Sequence, residues 1–145
     1  MRPSFHLDIL DSRRKLSGSV LKEVHLRAIV IDDSSAMRSW LHLVLERRGF
    51  QVAEAENGVL GLRVLQKSGP VDVAIIDWNM PEMSGLTLVQ AIRNDRHFDE
   101  MRLIMATTET DLSRVVKALR CGADEYVMKP FDEEILAEKL KLVGF

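Results

Sequence analysis

Residues 71–81 read VDVAIIDWNMP, and this stretch decides the fold that the sequence predicts. The run Val71–Ile76 is apolar apart from Asp72, which is typical of a short strand buried on both faces of a parallel sheet. Asp77 follows directly, at the end of this most central strand. In open α/β sheets ligands bind beyond the carboxyl ends of the strands, so Asp77 is a candidate functional residue.

Charged residues also follow two other apolar runs. The acidic pair Asp32-Asp33 ends one of them, and Lys129 ends another. Because the carboxyl ends of parallel strands meet at one edge of a sheet, we expect these side chains to lie near Asp77. Clustered carboxylates beside a lysine are suited to hold a divalent cation and a phosphoryl group.

Strand and helix patterns alternate from Arg27 onward, and this alternation predicts an α/β fold with a parallel sheet covered by helices on both faces. In the last helix, the residues predicted to face inward are Ile135, Leu136, Leu140 and Val143. The predicted strands are Ala28–Ile31, Phe50–Ala55, Val71–Ile76, Leu103–Ala106 and Tyr126–Met128, and the predicted helices are Ser35–Arg48, 57–67, Leu86–Asn94, Asp111–Arg120 and Asp132–Leu142.

The bulk composition is that of one ordinary globular domain. The chain has 145 residues, of which 46% are hydrophobic and 29% charged, enough to bury a core. Its net charge of -2 gives no basis for binding nucleic acid or an anionic membrane through bulk electrostatics. The single cysteine, Cys121, excludes an intrachain disulfide. No apolar stretch approaches the roughly 20 residues of a membrane span, so we expect a cytoplasmic protein.

Five features together resemble the response-regulator receiver family, the phosphoacceptor half of bacterial two-component signalling. They are the pair Asp32-Asp33, Asp77, Met80-Pro81 with Gly85, Thr107, and Lys129-Pro130-Phe131. They occur in the order of the family, and residues 77–81 most resemble the single-domain chemotaxis regulators of the CheY type. The resemblance implies a flavodoxin-like, doubly wound sheet of five parallel strands in the order 2-1-3-4-5.

The resemblance also implies a Mg²⁺ site. Asp33 and Asp77 would bind the metal directly, Asn79 would offer its main-chain carbonyl, and Asp32 would hold a metal-bound water. Mg²⁺ takes such oxygen ligands in a near-octahedral shell. An alternative for Asp33 is that it caps the helix that begins near Ser35.

The phosphoacceptor implied by the resemblance is Asp77, which would take a phosphoryl group from a sensor histidine kinase or a phosphotransfer protein. Lys129 and Thr107 would each contact one phosphoryl oxygen. We favour Thr107 over Thr108 because it directly follows the fourth predicted strand. As the switch, Thr107 would move toward the phosphoryl group while Tyr126 turns inward.

The output implied by the resemblance is binding of a downstream target protein or output domain to the face formed by the fourth helix, fifth strand and fifth helix. Candidate contacts there are Arg114, Lys117, Tyr126 and Lys139. Asn79 and Glu109 would tune the lifetime of the phosphorylated form. The sequence leaves homodimer formation open.

Two other classes of function compete with a signalling switch. A haloacid-dehalogenase phosphatase also uses an Asp nucleophile and Mg²⁺, but it needs a second Asp where this chain has Asn79. A receiver that has lost phosphorylation would lack members of the acidic, threonine and lysine set, which is intact here. We therefore expect a switch, not an enzyme that turns over a separate substrate.

The N-terminal extension, residues 1–26, lies outside the pattern of the family, and the receiver domain would span residues 27–145. The extension has apolar residues at roughly helical spacing and a basic cluster at 13–15. We expect it to be partly helical or disordered. A docking segment, a dimer contact and a tail all remain open for it, and the sequence fits either a stand-alone regulator or a piece of a longer one.

Overall fold

The computed structural model describes residues 25–108 and 110–145. Residues 1–24 and Glu109 lie outside the described residues. The partly helical extension, the basic cluster at 13–15 and the role of Glu109 in phosphate release therefore stay predictions.

Within the described residues, five strands alternate with five α-helices, and all strand pairs are parallel. The strand order is β2-β1-β3-β4-β5, which confirms the flavodoxin-like, doubly wound sheet. The elements are β1 (Leu26–Ile31), α1 (Ser35–Arg47), β2 (Phe50–Ala55), α2 (Gly58–Ser68), β3 (Val73–Asp77), α3 (Gly85–Asn94), a short 3-10 helix (Arg96–Phe98), β4 (Arg102–Thr107), α4 (Leu112–Cys121), β5 (Glu125–Met128) and α5 (Glu133–Leu142).

The hydrophobic core lies in two layers, one on each face of the sheet. In β3 every residue is buried, and successive side chains enter opposite layers. Ala74 and Ile76 pack with α2, α3 and α4, whereas Val73 and Ile75 pack with α1 and α5. This double burial explains why the central strand is a continuous apolar run instead of an alternating one. No helix among the described residues is long and apolar enough to cross a membrane.

Two predicted details of the elements are wrong. β3 begins at Val73, because the chain bends at Asp72, whose carboxylate accepts a hydrogen bond from the Arg27 amide over 2.7 Å. Ile135 does not face inward, since it is 41% exposed. Leu136 and Leu140, one turn apart, occupy the buried side of α5, and Ile135 lies about 100° around the helix from Leu136.

Candidate functional site

The functional side chains predicted from the sequence meet at the carboxyl edge of the sheet. Asp32 directly follows β1, Asp77 ends β3, Thr107 ends β4 and Lys129 directly follows β5. The strand register brings these ends together, since Asp77 pairs with Ala106, the residue before Thr107. Sequence positions almost 100 residues apart thereby become neighbours.

Three carboxylates form the centre of this edge. Asp32, Asp33 and Asp77 each offer an oxygen, and these oxygens lie within 4.8 Å of one another. Asp32 is 1% exposed and Asp77 is 6% exposed, whereas Asp33 is exposed. The cluster therefore has a buried floor and an open side, from which an ion or a phosphoryl group can enter.

Lys129, which follows β5, contacts two of the three carboxylates. Its Nζ donates hydrogen bonds to Asp32 Oδ2 over 2.9 Å and to Asp77 Oδ1 over 3.2 Å. The peptide bond between Lys129 and Pro130 is cis, and the Lys129 amide donates to the Thr107 carbonyl. Burial alone would lower the pKa of Lys129, but the hydrogen bond to Asp32 and the charges of both carboxylates raise it. The ammonium consequently stays charged.

One ammonium does not neutralise three carboxylates. Burial, followed by the charge of Asp32, raises the pKa of Asp77 to about 6, although Lys129 opposes the shift. The carboxylate form of Asp77 is thus costly in this site until more positive charge arrives. All the donor atoms are oxygens, which are the ligands that Mg²⁺ and Ca²⁺ prefer, so the residues fit a hard divalent cation.

The loop after β3 is shaped so that Asp77 can hold its position. A Cβ atom on Gly85 would collide with the main-chain carbonyl oxygen of Asp77, so only glycine allows α3 to begin this close. Ser84 caps α3 by accepting a hydrogen bond from the Thr87 amide over 3.2 Å. Glu82 lies in the loop between Asp77 and Ser84. Its φ of 69° is in the left-handed region that non-glycine residues rarely adopt.

The cap of α1 settles the alternative for Asp33. Ser34 is the N-cap, because its hydroxyl accepts a hydrogen bond from the Met37 amide over 3.2 Å. Asp33 precedes the cap, and its carboxylate belongs instead to the acidic cluster. Sequence reasoning missed the capping roles of Ser34 and Ser84, although serine before a helix is a signal that could have found them.

Of the two residues of the predicted switch, Thr107 is the last residue of β4 and Tyr126 lies in β5. Thr107 is 1% exposed at the end of β4, whereas Thr108 is exposed beyond it. Tyr126 lies half-buried in β5, and the Lys139 ammonium lies 4.8 Å from the centre of its ring. Asn79 lies two residues beyond Asp77 with an exposed side chain.

One face of α4 exposes apolar side chains. Leu112 is the most exposed of them, and Val116 and Leu119 continue the stripe at helical spacing. Isolated exposed apolar residues are ordinary, but a stripe on one helix is typical of a surface that binds a partner.

Comparison with known proteins gives a consistent result. The response regulator receiver domain family matches residues 28–141. The chain is 44% identical over 119 residues to the chemotaxis protein CheY1 of Helicobacter pylori, which covers 81% of this chain and 96% of that protein. A CheY homolog of Campylobacter jejuni is 44% identical over 117 residues, 80% of this chain and 90% of the homolog. The solved structure of the chemotaxis response regulator CheY4 of Vibrio cholerae superposes with a TM-score of 0.78 at 32% identity, covering 83% of this chain and 99% of that one.

Proposed function

The chain belongs to the response regulator receiver domain family, and from this premise we propose that Asp77 is the residue that accepts the phosphoryl group. The observation that carries the proposal is the position of Lys129 Nζ, 2.9 Å from Asp32 and 3.2 Å from Asp77. A lysine held against the proposed nucleophile in the resting state is placed to contact a phosphoryl oxygen once that nucleophile carries one.

The proposed reaction is an in-line transfer from a phosphohistidine of a sensor kinase or phosphotransfer protein. A carboxylate oxygen of Asp77 forms the new bond to phosphorus, while the bond from phosphorus to the imidazole nitrogen breaks and the nitrogen keeps the electron pair. Asp77 must be ionised to attack, and the Lys129 ammonium favours that form. Lys129 and the Thr107 hydroxyl then donate hydrogen bonds to phosphoryl oxygens, which stabilises the charge that the transfer brings in.

Mg²⁺ is the cation that we propose for the acidic cluster. Asp33 and Asp77 would hold it through carboxylate oxygens, Asn79 through its main-chain carbonyl, and Asp32 through a water. When bound, it supplies the positive charge that a third phosphoryl oxygen needs. The raised pKa of Asp77 supports this, because a site that penalises its own carboxylates gains most from a divalent cation.

The proposed output is a change of the surface formed by α4, β5 and α5, where a downstream target protein or output domain binds. Thr107 would move toward the phosphoryl group and Tyr126 would turn inward, which biases a two-state equilibrium. The apolar stripe of α4 and the Lys139 contact on Tyr126 lie on this surface and support the proposal. The receiver also assists its own phosphorylation and dephosphorylation in this scheme, without turning over a separate substrate.

Phosphorylation by a small donor tests the assignment directly. Purified protein with Mg²⁺ and acetyl phosphate should gain one acid-stable, hydroxylamine-sensitive acyl phosphate, and Asp77→Asn should abolish it. Thr87→Ala, a change on the surface of α3, should leave incorporation unchanged. Labelling that persists in Asp77→Asn, or occurs equally without a divalent cation, would overturn the proposed site.

The reporter for the same site is Trp78, which adjoins Asp77 and is buried in the core layer formed with α2, α3 and α4. Its fluorescence should change with Mg²⁺ and again with beryllofluoride. Steady hydrolysis of a phosphomonoester would instead favour a phosphatase, and no response to either addition would favour a receiver that has lost phosphorylation.

A further inference from the structure

Arg38 contacts the acidic cluster through the main chain instead of through a carboxylate. Its Nη1 donates a hydrogen bond to the carbonyl oxygen of Asp32 over 2.7 Å. That carbonyl belongs to the planar peptide group that joins Asp32 to Asp33, so the guanidinium fixes the orientation from which the Asp33 side chain projects. We infer that Arg38 is a positioning residue, which holds the two acidic residues in the arrangement that binds a divalent cation.

The guanidinium of Arg38 is itself held from the opposite side. Its Nε lies 3.4 Å from Oε1 of Glu54, a residue of the edge strand β2. The other Glu54 oxygen lies 2.6 Å from His42 Nδ1, one turn further along α1. Arg38 is 17% exposed, and a planar fork with contacts at two of its nitrogens has little rotational freedom. A chain of polar contacts thus runs from His42 through Glu54 and Arg38 to the cluster.

The contact with Arg38 completes a set that engages every polar atom of Asp32. The Asp32 amide donates to the Ala55 carbonyl, Oδ1 accepts from the Ser34 amide and Oδ2 accepts from Lys129. Asp33 differs, because its side chain is exposed and its direction depends on the backbone before it. Loss of the Arg38 contact would therefore leave Asp32 in place but loosen the peptide that leads to Asp33.

This inference rests on the proposed Mg²⁺ site, and the sign of the effect separates positioning from simple electrostatics. Removing a positive charge near a cation site reduces repulsion and should tighten Mg²⁺ binding. Removing a group that orients a metal ligand should weaken binding. The two explanations of the same arginine therefore predict opposite changes in the dissociation constant.

The test compares Arg38→Ala with Arg63→Ala. Arg63 lines the same groove as Arg38 and Glu54, so its loss removes the same charge from the same surface. Mg²⁺ dissociation constants would be measured by Trp78 fluorescence and by calorimetry, without any phosphodonor. We expect Arg38→Ala to raise the dissociation constant roughly 10-fold, as for other groups that orient a metal ligand. Arg63→Ala should not raise it.

Two further variants show whether the contacts act together. Arg38→Lys keeps the charge but loses the fork, so it should weaken Mg²⁺ binding by an intermediate factor. Glu54→Gln should weaken binding about 3-fold in the wild-type background and add nothing in the Arg38→Ala background, since the groups act in series.

An unchanged or lower dissociation constant in Arg38→Ala would overturn the inference while the wild-type response leaves the proposed site intact. A wild-type protein that ignores Mg²⁺ would overturn the metal proposal, and this inference with it. Thermal unfolding identifies any variant that fails to fold. If Arg38→Ala is such a variant, Arg38→Lys decides by the same criterion, and wild-type affinity in it overturns the inference.

Discussion

At the carboxyl edge of the sheet three carboxylates share one ammonium, whereas at the amino edge one guanidinium is surrounded by oxygen acceptors. Arg93 donates there to the carbonyls of Gly122, Phe98 and Met101 and to the Asp124 carboxylate, at 2.7–3.1 Å. Each edge combines polar groups that are removed from water with one exposed carboxylate, Asp33 at the carboxyl edge and Asp124 at the amino edge. The edges differ in charge balance: among the described residues, Arg93 pairs with Asp124 at the amino edge, whereas the carboxyl edge holds three clustered carboxylates and one lysine.

This difference indicates that the two edges of the sheet have different roles. The Arg93 contacts tie α3 to the 3-10 helix, to the start of β4 and to the loop before β5, so the amino edge stabilises the fold. The carboxyl edge keeps an excess of negative charge in a buried setting, and burial, followed by the charge of Asp32, raises the pKa of Asp77 to about 6. This excess of negative charge is what the proposed cation would neutralise, and without a cation it lowers the stability of the fold.

The largest expected effect on stability is at the amino edge of the sheet, where Arg93 lies. Arg93→Ala would remove a hydrogen-bond donor from three carbonyls and the ion-pair partner at 3.0 Å from Asp124, which keeps the Leu103 amide, so we expect a loss of about 3 kcal/mol in the free energy of unfolding. Urea denaturation measures it. Arg96→Ala, three residues further on and exposed, is the matched control and should cost less than about 0.5 kcal/mol. Equal losses in the two variants would remove the contrast between the edges.

Next in size is the steric constraint beside Asp77. Gly85→Ala forces a methyl group against the Asp77 carbonyl, which should cost about 2 kcal/mol and slow phosphorylation by acetyl phosphate. Gly49→Ala is a useful comparison, because nothing crowds that position and only its backbone φ of 94° opposes the change. It should destabilise the fold without altering the phosphorylation rate. A Gly85→Ala variant that phosphorylates normally would contradict this explanation.

Removing the negative charge of Asp77 from the carboxyl edge of the sheet should stabilise the protein. The pKa of Asp77 is raised from 3.8 to about 6, so the native state holds a proton that the unfolded state releases first as the pH rises. Stability from this group is present below about pH 4 and is lost as the pH rises through 6. Without divalent cations at pH 7.5, Asp77→Asn should therefore gain about 1–2 kcal/mol, with an upper limit near 3 kcal/mol from the shift itself. The gain should disappear toward pH 4, as measured by urea denaturation across the pH range.

Asp95→Asn is the matched control for Asp77→Asn. It also removes one carboxylate, that of the residue that caps the 3-10 helix. That variant should be neutral or slightly destabilised at every pH. A gain in Asp95→Asn equal to that in Asp77→Asn would show a general effect of net charge instead of local strain.

A bound cation should relieve the same strain in the wild-type protein. Mg²⁺ at ten times its dissociation constant should raise the free energy of unfolding by about 1.4 kcal/mol, since it binds only the folded state. Asp77→Asn should lose most of this gain. Thermal unfolding with Mg²⁺ and with EDTA measures it, and a melting temperature that Mg²⁺ does not move would count against the site.

The smallest effect expected is at the strained loop. Glu82 holds a φ of 69°, so Glu82→Gly should stabilise the protein by less than about 1 kcal/mol. Glu56→Gly is the control, and it should destabilise the protein. Glu56 is also exposed but has no positive φ, so glycine there only makes the unfolded chain more flexible. A loss of stability in Glu82→Gly would show that its side chain, not its backbone, matters in the loop.

The sequence predicted the polar residues of the amino edge less well than those of the carboxyl edge. Asp32, Asp77, Thr107 and Lys129 could be found because each directly follows or ends an apolar run, and parallel strands bring such positions together. Arg93 carried no comparable signal, since an arginine in the last turn of a helix is usually solvated. Its role depends on the 3-10 helix, the start of β4 and the loop before β5, whose geometry the sequence pattern does not encode.

Two further differences have the same physical cause. Ile135 fitted an apolar stripe, but the period of a helix leaves an uncertainty of one residue at the margin of the stripe, and packing against the sheet decides it. Arg38 was not singled out because its partner is a main-chain carbonyl, and no residue type marks such an acceptor in a sequence. The positions that chemistry dictates were therefore predictable, and those that packing dictates were not.

The contact between Lys129 and Asp32 joins residues 97 positions apart in the chain. During synthesis the three acidic residues leave the ribosome well before the lysine does. A nascent chain that ends before β5 holds the carboxylates of the cluster without their internal counter-ion. Docking of the last strand thus brings the Lys129 ammonium to the acidic cluster only after the rest of the cluster has been synthesised, so the paired site is among the last features of the fold to form.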